Sequence, residues 1–306
     1  MVDPRARIVV GFDGSPASLL AVNWAVAEAC LREGVIVLCH VAPGSNSGDV
    51  RDEERTAADQ LLARGVRHAR RRAPRVEVIP TLVSGGPARQ LLSVASGATL
   101  LVVGARGAGG FAGLRLGSVS AQVARHAPGT VIVVPDLGDR ADRRRRRQIV
   151  VGVDGSSGSA AALAFAFTEA AGRQAELRAV YVFDAATVQT MATLPQADLQ
   201  RWHTRAADTL HELVTACAQR YPEVEVCCEV LSGAPATMLT SAAAGAEMLV
   251  LGSRGHGDLA TRLLGSTSHT VLHNATCPVA IIRADRSTHQ SGSRHRSHRS
   301  LVKGRS

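Results

Sequence analysis

Ile8–Ser15 reads IVVGFDGS and Ile149–Ser156 reads IVVGVDGS, identical at seven of eight positions and 141 residues apart. A second block repeats 148 residues apart: Val102–Pro135 is VVGARGAGGFAGLRLGSVSAQVARHAPGTVIVVP, and Val250–Arg283 is VLGSRGHGDLATRLLGSTSHTVLHNATCPVAIIR. The period is far longer than a solenoid unit, so the chain is a tandem duplication of one domain. Its length of 306 residues agrees with two domains. The drift between the offsets falls in the middle of each copy, where loops absorb it.

Within each copy, short β-branched runs alternate with helical spacing. Strands are expected at Arg7–Phe12, Val35–Val41, Val76–Val83, Leu100–Val103 and Val131–Val134, and in the second copy at 149–153, 175–183, 223–230, 247–251 and 279–283. Helices are expected over 16–33, 51–72, 87–96 and 118–126, with Ser15 as an N-cap and Pro87 opening the third. Near-continuous apolar strands separated by helices predict a parallel sheet covered on both faces. With right-handed crossovers, each copy becomes a doubly wound α/β domain. The boundaries expected are 1–136 and 149–284, with an arginine-rich linker at 137–148 and a disordered basic tail at 285–306.

Doubly wound sheets bind ligands beyond the carboxyl ends of their strands, where the strand order reverses. Gly11, Asp13, Gly14 and Ser15 follow the first strand, and Gly152, Asp154, Gly155 and Ser156 repeat them. The fourth strand ends in Gly104-x-x-Gly107, then nine residues, then Gly117-Ser118; the second copy has Gly252-x-x-Gly255, nine residues, and Gly265-Ser266. Glycines allow a backbone to come close to an anion. The helix that opens at the second glycine offers unpaired N–H groups and a positive dipole end to phosphate. Ser118 and Ser120, with Ser266 and Ser268, supply hydroxyls, and Arg106 and Arg254 supply charge. Asp13 and Asp154 are placed to accept from ribose hydroxyls or to hold a metal at the phosphates.

The only lysine is Lys303, in the last four residues. That excludes a P-loop, a kinase-type strand lysine and a Schiff-base lysine in either domain. The looser G-x-G-x-x-A matches at Gly107-Gly109-Ala112 and Gly255-Gly257-Ala260 follow the fourth strand rather than the first, which argues against a dinucleotide fold. His269 and His273 lie four apart on a predicted helix, but the first copy has Ala121 and Arg125 there. His203 and His211 are eight apart without a third ligand, so no metal site is expected. His40 and Tyr181 occupy equivalent strand positions and read as packing residues. No Ser-His-Asp set or general base stands out.

The G-x2-G-x9-G-[ST] loop, the V-G-x-D-G-S first strand and the CPVAII final strand (Cys277–Ile282) resemble the universal stress protein family, in its ATP-binding tandem form. The resemblance covers roughly residues 5–136 and 148–284. It implies five-stranded domains of order 3-2-1-4-5, Rossmann-like and similar to the adenine nucleotide alpha hydrolases. It implies an adenine nucleotide in each domain: ATP, alone or with magnesium. It places Gly11, Asp13, Gly152 and Asp154 along the nucleotide, with Val41 and Val182 beside adenine. Gly104–Gly107 and Gly117–Ser120, including Val119, would cradle phosphates. Gly252–Gly255 and Gly265–Ser268, including Thr267, would do the same. It also implies dimer-like pairing through final strands, and a homodimer is expected because Val131–Val134 and Ala280–Arg283 offer edges. The run Gly107-Ala108-Gly109-Gly110 leads us to expect a looser loop in the first copy. Two function classes stay open: a nucleotide-dependent stress or sensor protein with weak or no turnover, and a slow ATP hydrolase or phosphotransferase. A non-nucleotide scaffold is a weaker third.

The charge of +9 sits mostly outside the repeats. Residues 136–148 carry six arginines against three aspartates, and residues 285–306 carry six basic groups against one acid, so these segments hold +8 of it. Any nucleic-acid contact is therefore expected from linker or tail and without sequence specificity. Six cysteines without a C-x-x-C pair are read as small buried hydrophobes in a reducing compartment. With no long apolar run, the expectation is a cytoplasmic protein without membrane contact.

Overall fold

The computed structural model describes residues 5–43, 52–109, 115–136, 146–183, 196–255 and 264–283. The linker residues 137–145, the tail beyond 283 and Gly110 lie outside the described residues. The first half runs β1 (Arg7–Gly11), α1 (Pro16–Leu31), β2 (Val35–Ala42), α2 (Asp52–Arg72), β3 (Val78–Ser84), α3 (Pro87–Val94), β4 (Leu100–Gly104), α4 (Ser118–His126) and β5 (Thr130–Val134). The second repeats it as β6 (Gln148–Gly152), α5 (Ser157–Arg173), β7 (Glu176–Phe183), α6 (Gln196–Ala218), β8 (Val226–Ser232), α7 (Pro235–Ala242), β9 (Met248–Gly252), α8 (Ser266–Asn274) and β10 (Val279–Ile282).

Each half is a parallel five-stranded sheet in the order 3-2-1-4-5, and the two join into one ten-stranded sheet, β3-β2-β1-β4-β5-β10-β9-β6-β7-β8. Alternation along the strands divides the core into two layers. Ile8, Val10, Leu100 and Val102 face α1 and α2, whereas Val9, Leu101 and Val103 face α3 and α4. Both layers exclude water, which explains why these strands are apolar along their whole length. α2 buries Ala58, Leu62, Val66 and Ala69 at helical spacing. Asp52, Glu53 and Glu54 open it and Arg70, Arg71 and Arg72 close it, so charges match the helix dipole at both ends. β3 and β8 start later than the sequence suggests. Val76 N–H donates to Ala73 O, and Val224 N–H to Tyr221 O, so turns consume the residues expected to begin these strands.

The junction is an antiparallel pair, β5 with β10, in which Val133 faces Val279 and Ile132 faces Ala280. Two like strands meeting across a two-fold axis must run in opposite directions, so the duplication dictates this geometry. The edges expected to pair between two chains therefore pair within one. Arg283 extends the junction by donating to the Arg125 carbonyl near the end of α4.

The same pseudo-two-fold relates α1 and α5 through a buried ring of charges. Glu28 and Glu169 are 1% and 3% exposed. Arg32 donates to both glutamates, and so does Arg173. Arg173 also lies 5.4 Å over the Trp24 ring and Arg32 5.8 Å over Phe165. Residues 24, 28 and 32 are the repeat equivalents of 165, 169 and 173, so each contact is made twice.

Burial, with Glu28 alongside, raises the Glu169 pKa to about 6, while Arg173 and Arg32 pull it down. Folded protein thus takes up this proton at higher pH than the unfolded chain does. The stability it contributes is complete below the unfolded value of 4.5 and disappears as pH rises through the folded one. Urea unfolding of wild type and Glu169→Gln at about pH 7 and about pH 4 should show wild type gaining about 2 kcal/mol relative to the variant at the lower pH. An unchanged difference between the two proteins would contradict a raised pKa at this ring.

Candidate functional site at the switch point of each half

β1 continues to β2 on one side, and β4 leads to β5 on the other. α1 leaves β1 on one face and α4 leaves β4 on the opposite face, which opens a crevice between the two carboxyl ends. The structure has a cavity there in each half, about 500 Å³ in the first and about 520 Å³ in the second. Both lie within the range of small-ligand sites. The residues predicted from sequence line these cavities. Gly11, Asp13, Val41, Gly104, Arg106 and Gly107 line the first, joined by Gly117, Ser118, Val119 and Ser120 from the start of α4. Gly152, Asp154, Val182, Gly252, Arg254 and Gly255 line the second, joined by Gly265, Ser266, Thr267 and Ser268 from α8.

The loop after β4 returns on itself. Gly117 N–H donates to Ala105 O at 2.7 Å, and Gly265 N–H to Ser253 O at 2.9 Å. These bonds staple the start of α4 and α8 beside the strand each followed. The cap residues Gly117 and Gly265 have no side chain to satisfy the first-turn N–H groups. α1 is different: Ser15 accepts from Ser18 N–H at 3.2 Å and Pro16 removes another donor. Of the two helices that flank the crevice, the uncapped one thus presents its donors and dipole to the cavity. Arg106 and Arg254, both half-buried, border the same end.

Several motif residues have a packing role that the sequence did not reveal. A Cβ on Gly104 would lie 2.6 Å from the Ala17 carbonyl carbon, and one on Gly252 would lie 2.7 Å from that of Gly158. These glycines let α1 and α5 cross the strand ends. A Cβ on Gly107 would meet Asp13 Oδ2 at 2.6 Å, and one on Gly255 would meet Asp154 Oδ2 at 2.3 Å. The second glycine of the loop therefore makes room for the aspartate. Gly117 differs: its nearest contact would be an ordinary 3.4 Å. Ser120 Oγ donates to Gly104 O at 2.7 Å and Ser268 Oγ to Gly252 O at 2.8 Å. Their protons are committed to the strand ends, so these hydroxyls are not the phosphate donors expected from sequence. Ser118 and Ser266 remain exposed.

Asp13 accepts from Ser15 N–H at 3.0 Å and from Ala108 N–H at 2.7 Å, tying the first-strand turn to the fourth-strand loop. Burial acts to raise its pKa, but hydrogen bonds from Ser15, Ala108 and Ser18 outweigh that and hold it below the ordinary carboxylate value. It is a carboxylate at neutral pH. A negative charge here favours hydroxyls or a cation. Asp154 accepts from Ser156 N–H at 2.9 Å in the same way.

The far wall contains His40 and Tyr181, which sequence reasoning assigned to packing, and Phe183 and Trp202, which it did not single out. His40 lines the first cavity and donates from Nδ1 to Phe12 O at 2.8 Å. Tyr181, Phe183 and Trp202 line the second. Leu91 and Leu239 complete the apolar floor. Cys39 and Cys277 are buried as expected, but Cys30, Cys227 and Cys228 are exposed. Among the described residues no group of three potential metal ligands occurs, and no helix is long and apolar enough to cross a membrane.

The model of the universal stress protein family matches residues 4–135 and again 145–283. The chain belongs to the universal stress protein family. Universal stress proteins Rv2623 and Rv2005c of Mycobacterium tuberculosis are 34% and 32% identical to it over 288 and 298 residues. The first alignment covers 90% of this chain and 96% of the relative, the second 92% and 99%. A universal stress protein from Archaeoglobus fulgidus has the same fold, with a TM-score of 0.67 at 20% identity, covering 92% of this chain and 97% of that one. The double family match and the double cavity describe one unit used twice.

Gly107→Ala should displace the Asp13 carboxylate and cost about 0.5–1.5 kcal/mol in urea unfolding, because its hydrogen bond from Ala108 N–H is lost. Gly117→Ala should unfold within about 0.5 kcal/mol of wild type. Equal losses in both variants would contradict the separate roles assigned to these glycines.

Proposed function

We propose that each half binds an adenine nucleotide, ATP, and that the chain is a nucleotide-dependent stress-response protein. The observation that carries this reading is the cavity itself, built twice with the same polarity. One end has uncapped helix N–H groups and an arginine, which suit phosphates. Beside that end, where it meets the fourth-strand loop, stands the carboxylate of Asp13 or Asp154, and across the cavity is an apolar wall at Val41 or Val182; these suit a sugar and a base. If magnesium accompanies ATP, Asp13 and Asp154 are the carboxylates that would hold it, and it would neutralise phosphate charge there. The proposed domains are residues 1–136 and 149–284, a division supported by family matches over 4–135 and 145–283.

Turnover is proposed to be weak or nil. His40 donates from Nδ1 to a carbonyl in the first cavity, but a tyrosine stands at the equivalent position in the second, so no imidazole is shared by the two sites. Neither cavity lining contains a lysine, and the one carboxylate common to both, Asp13 or Asp154, is already engaged by backbone N–H groups. Nucleotide occupancy would then act by favouring one conformation or partner, to the extent that the states differ in affinity for it. The six free cysteines, three of them exposed, suit a reducing cytoplasm.

Equilibrium dialysis with ATP tests the reading. The double variant Asp13→Ala with Asp154→Ala should bind more weakly while staying folded. Gly117→Val with Gly265→Val should weaken binding further by filling the phosphate space. Wild-type affinity in both variants would move the site elsewhere, and no wild-type binding at millimolar ATP would defeat the proposal. Hydrolysis of bound ATP within seconds in a single-turnover experiment would replace it with the hydrolase reading.

A further inference from the structure

The two cavities share a phosphate end and differ at the opposite end. In the second, the wall at the carboxyl end of β7 includes Tyr181, Phe183 and Trp202. The repeat-equivalent residues in the first half are His40, Ala42 and Glu54. The helix correspondence is anchored by packing: Leu210 and Val214 of α6 are buried, as are Leu62 and Val66 of α2, at the same 148-residue offset. Phe12 is the aromatic residue along the first cavity, but only 4% of it is exposed and its ring packs against Gly65 in the core. It presents no free face.

Among the described residues four large apolar side chains are exposed, Leu20, Leu31, Ile79 and Trp202; Trp202, with 51% of its surface exposed, is the one of them that lines one of the two cavities. Its position follows from its neighbour. Phe183 is buried and makes edge contacts with Tyr181 at 5.2 Å and with His203 at 5.4 Å. That contact joins the first half of α6 to the end of β7, which places Trp202, the residue before His203, at the cavity lining. A large exposed aromatic face there is covered well by a flat π system. Because β1 separates β7's counterpart β2 from β4, this wall lies across the cavity from the helix N-terminus that suits phosphates.

We propose that the second cavity stacks the base of its nucleotide on the Trp202 indole. The second site is then the tighter and base-selective one, and the first holds its nucleotide mainly through phosphate and sugar. The inference rests on the nucleotide reading above and adds a base-recognising residue and an inequality between the sites.

The chain has two tryptophans, Trp24 and Trp202. Trp24→Phe leaves Trp202 as the only indole, and Phe165 at the equivalent position of the other half shows that a phenyl ring suits that place under an arginine. In this protein ATP should quench Trp202 fluorescence and inorganic tripolyphosphate should not. In calorimetric titrations Trp202→Ala should weaken one of two ATP sites about tenfold or more, with Trp202→Phe retaining most of the affinity. Glu54→Ala should leave both sites as they were. ATP binding without quenching, and unchanged at both sites in Trp202→Ala, would overturn this inference and leave the nucleotide reading standing. Absence of ATP binding by dialysis in the Trp24→Phe protein and in wild type alike would overturn both.

Discussion

Two glutamates with almost no solvent exposure share two arginines where the halves of the molecule meet. Removing four charges from water is costly, and it is tolerable only because each carboxylate meets both guanidinium groups. The ring closes only if α1 and α5 approach about the pseudo-two-fold axis, since Glu28 needs Arg173 and Glu169 needs Arg32. The antiparallel β5–β10 pair imposes the same axis on the sheet. The ring supplies a directional constraint that apolar packing lacks. The helices it fixes are also those whose first turns pass over Gly104 and Gly252, at the floor of the two cavities.

The cavities are made mainly from backbone. Glycines at the strand ends admit a crossing helix, and glycines in the loop admit an aspartate. The aspartate ties turn to loop, and a serine hydroxyl ties the next helix to the strand. These contacts form with no ligand present. What they leave open is the first turn of α4 and α8, whose N–H groups have no side-chain cap. Fold and site thus use the same motif: most of it builds the crevice, and a few groups at its rim face the contents. On the nucleotide reading proposed above, this is how domains without a lysine would hold phosphate. Backbone donors carry no net charge, and one arginine per half supplies it.

The duplicated motif made the doubly wound class and the location of both cavities legible, because glycine spacing and apolar strands are local properties; the strand order 3-2-1-4-5 came from the family resemblance. The less legible features arise from tertiary partners or from differences between the copies. Glu28 looks like any helical glutamate until Arg173, 145 residues away, is placed beside it. Ser120 looks like a phosphate ligand until its hydroxyl meets the Gly104 carbonyl. The final strands look like dimer edges until each is found paired with the other. Trp202 was hidden for another reason. Comparing repeats draws attention to what is shared, and an indole in place of Glu54 appears only as divergence. Aligning the helices on their buried leucines and valines would have shown that the divergence falls at the mouth of a shared cavity.

The central claim is that one chain carries two nucleotide cavities in a single continuous sheet. Native mass spectrometry of the intact protein with ATP tests this most directly. The account predicts a 32.0 kDa chain carrying up to two nucleotides, the second appearing at higher ATP than the first. A chain that carries no nucleotide, or never more than one at saturating ATP, would contradict it.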